Sequence, residues 1–301
     1  MGSEMCIRDR STTMLGPNCG IDDWDIIAHL NRQCNDCGID TIEAGVAIGL
    51  AMEAGLSKYG DGEGAIKLLE EVNKGTILGR IIGNGAYITG KVLGIRKIPV
   101  VKRQAIPAWE PRSIKGTGVT YATSPMGADH TAGNALPGRP GITPNLNLDP
   151  HNRLDKAKLS WELQVLSTCL DCAFCWLIGP SVETIDTIAD LLSAKIGLKI
   201  NREDVLTIGE NTLKLEKEFN RRAGFTEIND RLSRYFKKEN IPLNRYWGER
   251  GDSDKRILSY LSKEAKDAMT RSLQILRNRI DQFGVSEPAI HYMIKKTWIC
   301  P

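Results

Sequence analysis

The 301-residue sequence predicts a mainly α-helical protein, two helical layers around one long loop. Three observations predict it. Apolar residues recur at helical spacing along most of the chain. Acidic or hydroxyl side chains open these segments and glycines close them. No alternating strand pattern of useful length appears before Val285. With 41% hydrophobic and 26% charged residues, the composition is globular rather than disordered. The net charge of +3 makes no case for nucleic acid or an anionic membrane surface. The apolar run from Val46 to Met52 falls far short of the ~20 residues of a membrane span.

The elements follow in order. Asp22 and Asp23 open a helix with Trp24, Ile27 and Leu30 on one face, and Gly38 stops it. Asp40 caps a second helix that reaches about Gly55 through Ile42, Val46 and Met52. A third fits residues 63–73, ended by Gly75. A fourth fits 77–93, although Gly79, Gly83, Gly85 and Gly90 each cost ~1 kcal/mol against alanine and demand tertiary support. Residues 98–150 hold most of the prolines and little periodicity. A loop of that length is functional or disordered, and Trp109, Tyr121, Met126 and His130 favour an ordered, functional one. Helical signals return over 152–166. A cysteine cluster follows, broken by Gly179-Pro180. Ser181 caps a helix with Ile185, Ile188 and Leu192. The next helix, 201–220, carries Val205, Ile208, Leu215 and Phe219, and a short one carries Ile228, Leu232 and Tyr235. Residues 242–251 read as a linker and 255–283 as a final helix.

Eight cysteines in a chain of this length, with no apolar leader, imply reduced thiols. Cys169, Cys172 and Cys175 are the strongest signal. Thiolates bind soft metals, and two successive two-residue gaps suit an iron–sulfur cluster better than zinc. A fourth ligand must come from elsewhere. The alternative is three buried thiols beside the Phe174-Trp176-Leu177-Ile178 run. Cys34 and Cys37 share a helix face, as a redox or zinc pair or as small buried hydrophobes. His130 follows Gly127-Ala128-Asp129 in the long loop. It can exchange protons near neutral pH or be an ordinary surface histidine. Asn35, Asp36, Gly38 and Asp40 form a polar junction. It can accept N–H groups of a ring or amide, or simply end one helix and cap the next.

Several stretches then align in one order: Gly16-Pro17-Asn18-Cys19-Gly20-Ile21-Asp22, Asn35 to Ile42, Ile106-Pro107-Ala108-Trp109-Glu110-Pro111-Arg112, Gly116 to Ser124, and Leu170 to Cys175. Over about residues 11–247 the chain resembles the C-terminal, helical half of the aldehyde:ferredoxin oxidoreductase family. The resemblance implies oxidation of aldehydes to carboxylic acids, a tungsten- or molybdenum-bis-pterin, a 4Fe–4S cluster, ferredoxin as electron acceptor and a cytoplasmic enzyme. It makes Asn35, Asp36, Gly38 and Asp40 the first pterin-contacting motif, D-x-x-G-L-D. It makes Asp171 to Cys175 the second, one residue shorter than the family's spacing, with Asp171 on the pterin. Cys175 is then the best cluster ligand, with Cys172 behind it. His130 becomes the group that handles a proton beside the substrate. The remaining cluster cysteines and the main pterin-binding domain belong to an N-terminal half absent from this sequence, so the chain alone is expected to be inactive.

The ends match other things. Residues 1–10, MGSEMCIRDR, look like translated sequencing-adapter read-through. From about Tyr260, the run from Leu273 to Pro288 resembles the periplasmic domain of the D subunit of the Sec translocase. The expected organisation is therefore an adapter-like 1–10, an oxidoreductase piece 11–247 and a translocase-like fragment 248–301, joined as a chimera.

Overall fold

The computed structural model describes residues 11–238, all within the first of two units into which the chain divides, Met1–Ile241. The adapter-like 1–10, the 242–251 linker, the 255–283 helix and the translocase-like 248–301 lie outside the described residues.

The first helices form where their caps predict. Helix α1, Trp24–Cys37, is capped by Asp23, whose carboxylate accepts the Asp25 and Ile26 N–H groups, and it stops at Gly38 with φ 68°. Helix α2, Thr41–Glu53, is capped by Asp40. Helix α3, Gly62–Lys74, runs from Asp61 to Gly75 at φ 65°. Left-handed stops of this kind favour glycine because a Cβ would be strained there. Helix α2 is apolar nearly all round and lies between its neighbours. Ile48 and Ala47 pack with Leu15, Leu30, Leu69 and Ile82 in the first core.

The expected fourth helix breaks in two. Helix α4, Ile77–Gly83, ends at Asn84, and α5, Gly85–Val92, restarts from a glycine at φ 85°. The glycines that weaken the helix in sequence are used for close approach: a Cβ on Gly79 would run into the Glu71 carbonyl.

The long loop is ordered but not wholly irregular. Val100–Val101 (β1) pairs antiparallel with Gln104–Ala105 (β2), turning through Lys102 and Arg103 at φ 50° and 71°. Two-residue strands are too short to leave an alternating pattern. Helix α6, Lys115–Thr123, contains two glycines and three threonines, so its propensity is poor. Packing overrides that: a Cβ on Gly118 would sit 2.9 Å from the Pro111 carbonyl, and the Thr120 and Ser160 hydroxyls bond at 2.7 Å.

Helices α7, Lys156–Ala173, α8, Val182–Ile196, and α9, Arg202–Arg222, enclose a second core around Leu159, Leu163, Leu166, Ile185, Ile188 and Val205. Ser181 caps α8, and Asn201 with Asp204 forms a reciprocal cap on α9. The short helix expected around 228–235 is instead a 3₁₀ turn, Glu227–Asn229, and a separate turn α10, Tyr235–Lys238. Between them Asp230 is held by Lys102 at 2.5 Å and Lys217 at 2.9 Å, which ties the segment down in a non-helical course. Among the described residues no helix is long and apolar enough to cross a membrane.

Candidate functional site

The α1–α2 corner presents Asn35, Asp36, Gly38 and Asp40 to solvent. The Gly38 and Ile39 N–H groups return to the Asn35 and Cys34 carbonyls and close the helix. Asp40 Oδ2 accepts the Ile42 and Glu43 N–H groups, both at 2.9 Å, so the residue does cap α2. A Cβ built on Gly38 would meet nothing within 4 Å, so the corner faces open space. Beneath it Cys34 is buried, and burial pushes its thiol up to about 12. It is a packing thiol, not a thiolate.

A second set of residues meets around a cavity of about 250 Å³ between α7, α9 and the loop that follows α6. Asp129 comes from the long loop, Asp171 and Cys172 from the end of α7, and Glu216 from α9. Asp129 is buried. It accepts the Thr131 N–H and hydroxyl, and its Oδ1 lies 3.4 Å from His130 Nδ1. The Asn134 amide donates to the His130 carbonyl at 3.0 Å and fixes the backbone there. Asp171 Oδ1 accepts the Trp176 N–H at 2.8 Å. Burial raises the Asp171 carboxyl above its usual range. The Trp176 N–H works against the rise and the Asp129 charge adds to it. Glu216 is raised by burial and by the Asp171 charge. Ser124 and Ser167 also line the cavity. Both are 1% exposed, and neither hydroxyl has a hydrogen-bond partner among the described residues.

The three clustered cysteines face different ways. Cys169 is buried in the α7–α9 contact, with Sγ 3.2 Å from the Val205 carbonyl, and burial pushes its thiol up to about 11. Cys172 is exposed, with Sγ 3.7 Å from the Thr212 hydroxyl. Cys175 is half-buried just before the short Trp176–Ile178 turn, oriented by the Asp171–Trp176 bond and by Arg139 over the Trp176 ring at 5.7 Å. Among the described residues no three His, Cys, Asp or Glu side chains are arranged to hold a metal ion. The cavity gathers the neighbourhood of His130 with Asp171 and Cys172. It does not include Asn35, Asp36, Gly38 or Asp40.

Sequence reasoning passed over two carboxylates that hold this framework. Glu43 accepts the Ala86 N–H at 2.9 Å and the Ala105 N–H at 2.6 Å, tying α2 to α5 and β2. It sits three residues after the Asp40 cap, where a glutamate ordinarily turns back on its own helix. Glu162, buried on α7, accepts the Ile142 and Thr143 N–H groups and the Thr143 hydroxyl. A glutamate amid apolar residues of a helix was the available signal.

Residues 10–264 match the family model described as aldehyde ferredoxin oxidoreductase, domains 2 and 3. The chain belongs to the aldehyde ferredoxin oxidoreductase family. It is similar to the tungsten-containing aldehyde ferredoxin oxidoreductases of Thermococcus kodakarensis, 29% identical over 296 residues, and of Pyrococcus furiosus, 28% over 300. These alignments cover 91% and 92% of this chain but 47% and 48% of those proteins. The chain thus spans about half the length of the curated relatives it matches. The description of domains 2 and 3 leaves the family's first domain outside the match. A stretch of 74 residues is also 36% identical to the protein translocase subunit SecD of Rhodothermus marinus, covering a tenth of that protein. The family match runs past residue 247 to 264.

Proposed function

We propose that this chain supplies one side of the cofactor and substrate site of an enzyme that oxidises aldehydes to carboxylic acids and passes the electrons to ferredoxin in the cytoplasm. Tungsten is preferred over molybdenum because the relatives' names carry tungsten. The observation that carries the reading is the meeting of the His130 loop with Asp171 and Cys172 around one cavity. The family resemblance gives these separate segments separate roles, substrate and cofactor.

The residues fit a pterin partner. The open corner at Gly38 leaves room for a planar ring, with Asn35, Asp36 and Asp40 as polar neighbours. Separately, at the cavity, Asp171 and the unsatisfied Ser124 and Ser167 hydroxyls offer hydrogen bonds. For a 4Fe–4S cluster the chain offers Cys175, with exposed Cys172 as its neighbour. Cys169, turned inward, instead braces α7 against α9. When bound, the tungsten-pterin and the cluster supply the electron sink for converting aldehyde and water into carboxylic acid, two protons and two electrons. The protein's own part is to hold and move a proton. His130 has Nδ1 turned to Asp129, so the exchange is assigned to Nε2. Asp129, itself fixed by Thr131, orients the ring. The first domain must supply the rest of the pterin cradle and the other cluster thiolates. The chain alone is therefore inactive. The segment 248–301 is read as a translocase-like piece joined to the oxidoreductase, with the family match reaching into it as far as residue 264; resequencing across that junction tests it.

The test is His130→Ala in a full-length enzyme. We expect kcat to fall ~10²–10⁴-fold, with tungsten and iron retained. A loaded variant with near-normal kcat would refute the role.

A further inference from the structure

A cleft of about 840 Å³ lies between the β1–β2 hairpin and the segment that follows α9, a volume in the range of small-molecule sites. It shares no lining residue with the cavity around Asp129 and Asp171. Seven of its lining residues are lysine or arginine and none is acidic, in a chain whose net charge is only +3. Asp230 lies beside the cleft in sequence, but it sits between Lys102 and Lys217 and is more than neutralised by them. Arg96, Arg103, Arg231, Arg234 and Lys238 make no ion pair among the described residues. A concave wall of one sign focuses its field on whatever enters.

The hairpin turn is a second observation. Lys102 and Arg103 hold its two central positions at φ 50° and 71°. Such a turn favours asparagine and glycine, and a long side chain there is strained. Strain of that kind clusters at ligand clamps. Both side chains line the cleft, and the Arg103 guanidinium lies over the Tyr87 ring, 5.3 Å from its centroid. Part of the wall is apolar: Val100, Phe225, Ile228 and Leu232 line the same space. Cations that suit phosphates and an apolar surface that suits a ring therefore stand side by side.

We propose that this cleft binds a nucleoside polyphosphate, with its phosphates among Arg103, Arg231 and Arg234 and its base against Phe225 and Leu232. An acidic protein would meet the cations at the rim but leave the apolar wall unfilled.

The test is isothermal titration calorimetry of the 301-residue chain with ATP, adenosine and inorganic tripolyphosphate. ATP should bind at one site per chain, at least ~10-fold more tightly than tripolyphosphate, and adenosine more weakly than either. Arg231→Ala with Arg234→Ala should weaken ATP at least ~10-fold, because charged hydrogen bonds to phosphate are lost. Arg103→Gly separates binding from folding. Glycine suits a positive φ, so the melting temperature should stay within ~2 °C of the parent while ATP weakens ~10-fold. Lys195→Ala, an exposed cation on α8 outside the cleft, should change neither. No ATP binding by the folded chain would overturn the assignment, as would binding that none of the arginine variants weakens. Tripolyphosphate bound as tightly as ATP would overturn it in favour of a bare phosphate site. An acidic ferredoxin that needs the same arginines and is not displaced by ATP would overturn it in favour of a protein-docking face. An Arg103→Gly variant that melts well below the parent would overturn the reading of the turn.

Discussion

Glu162→Ala removes three acceptor contacts at once, and its cost can be worked from the geometry. The carboxylate accepts the Ile142 N–H at 2.7 Å, the Thr143 N–H at 2.8 Å and the Thr143 hydroxyl at 2.5 Å. A polar group left without a partner costs ~1–3 kcal/mol when buried. Residues 142 and 143 are only half-buried, so water can reach them and the low end applies, about 3 kcal/mol in all. The Lys158 ammonium, 4.0 Å away and exposed, adds little. At ~2–4 °C per kcal/mol for a domain of this size, the melting temperature should fall by about 6–12 °C. Glu162→Gln should cost under ~1 kcal/mol. Its carbonyl can keep both N–H bonds, and the Thr143 hydroxyl can turn to accept from the amide. Thermal and urea unfolding of the three proteins, followed by circular dichroism, tests this. An alanine variant within ~0.5 kcal/mol of the parent, or a glutamine variant as costly as alanine, would refute the view that this carboxylate fastens the loop to α7.

Gly209→Ala would press a Cβ into Cys169 Sγ and sit 2.9 Å from the Val165 carbonyl, so we expect a loss of ~1–3 kcal/mol in urea unfolding; a neutral result would show that α7 and α9 can part freely. Asp230→Asn should cost about 2 kcal/mol near pH 7. It strips the counter-ion from Lys102, whose side chain is 4% exposed, but the half-open Asp230 keeps the cost below the ~3–5 kcal/mol of a fully buried pair. Burial tends to raise Asp230, but the bonds and charges of Lys102 and Lys217 outweigh it and hold the carboxyl below its usual range. Its stabilisation is therefore present above the ordinary carboxylate pKa of ~3.9 and lost as pH falls through the lower folded value. The parent–variant gap should narrow on acidification, and a gap that widens would contradict the pairing. In a full-length enzyme, Cys175→Ser should lower iron content and perturb the cluster's EPR signal, because serine oxygen is a poor iron ligand, while Cys169→Ser should mainly lower stability; equal iron loss would reverse the assignment.

Helices with strong local signals were legible. Asp23, Asp40 and Ser181 each cap the helix that their position implies, and Gly38 and Gly75 end theirs in left-handed geometry, whereas the Asp61 and Asn201 caps went unread. Elements set by distant contacts were not. The β1–β2 hairpin is too short for alternation, and α6 forms against its own propensity because Thr120 and its glycines pack on Ser160 and Pro111. The break at Asn84 and the split of the last segment depend on Gly85 and on Asp230 meeting Lys102, a partner far away in sequence. For the candidate site, Asp171 and His130 stood out as single residues. The approach of the His130 loop to Asp171, through Asp129, did not, since it arises from the packing of the loop after α6 with α7 and α9, and the inward turn of Cys169 depends on Val205.

The central claim is that this chain holds one side of a shared site and needs the family's first domain to complete it. Tungsten and iron per polypeptide measure it most directly. Protein is produced anaerobically with tungstate and iron, as the chain alone and joined to the first domain of the Thermococcus kodakarensis relative, and both are analysed by plasma mass spectrometry. The account predicts that the chain alone retains neither metal after desalting and that the joined protein retains both in a fixed ratio. Stoichiometric tungsten on the chain alone, or a folded joined protein holding neither metal, would contradict it.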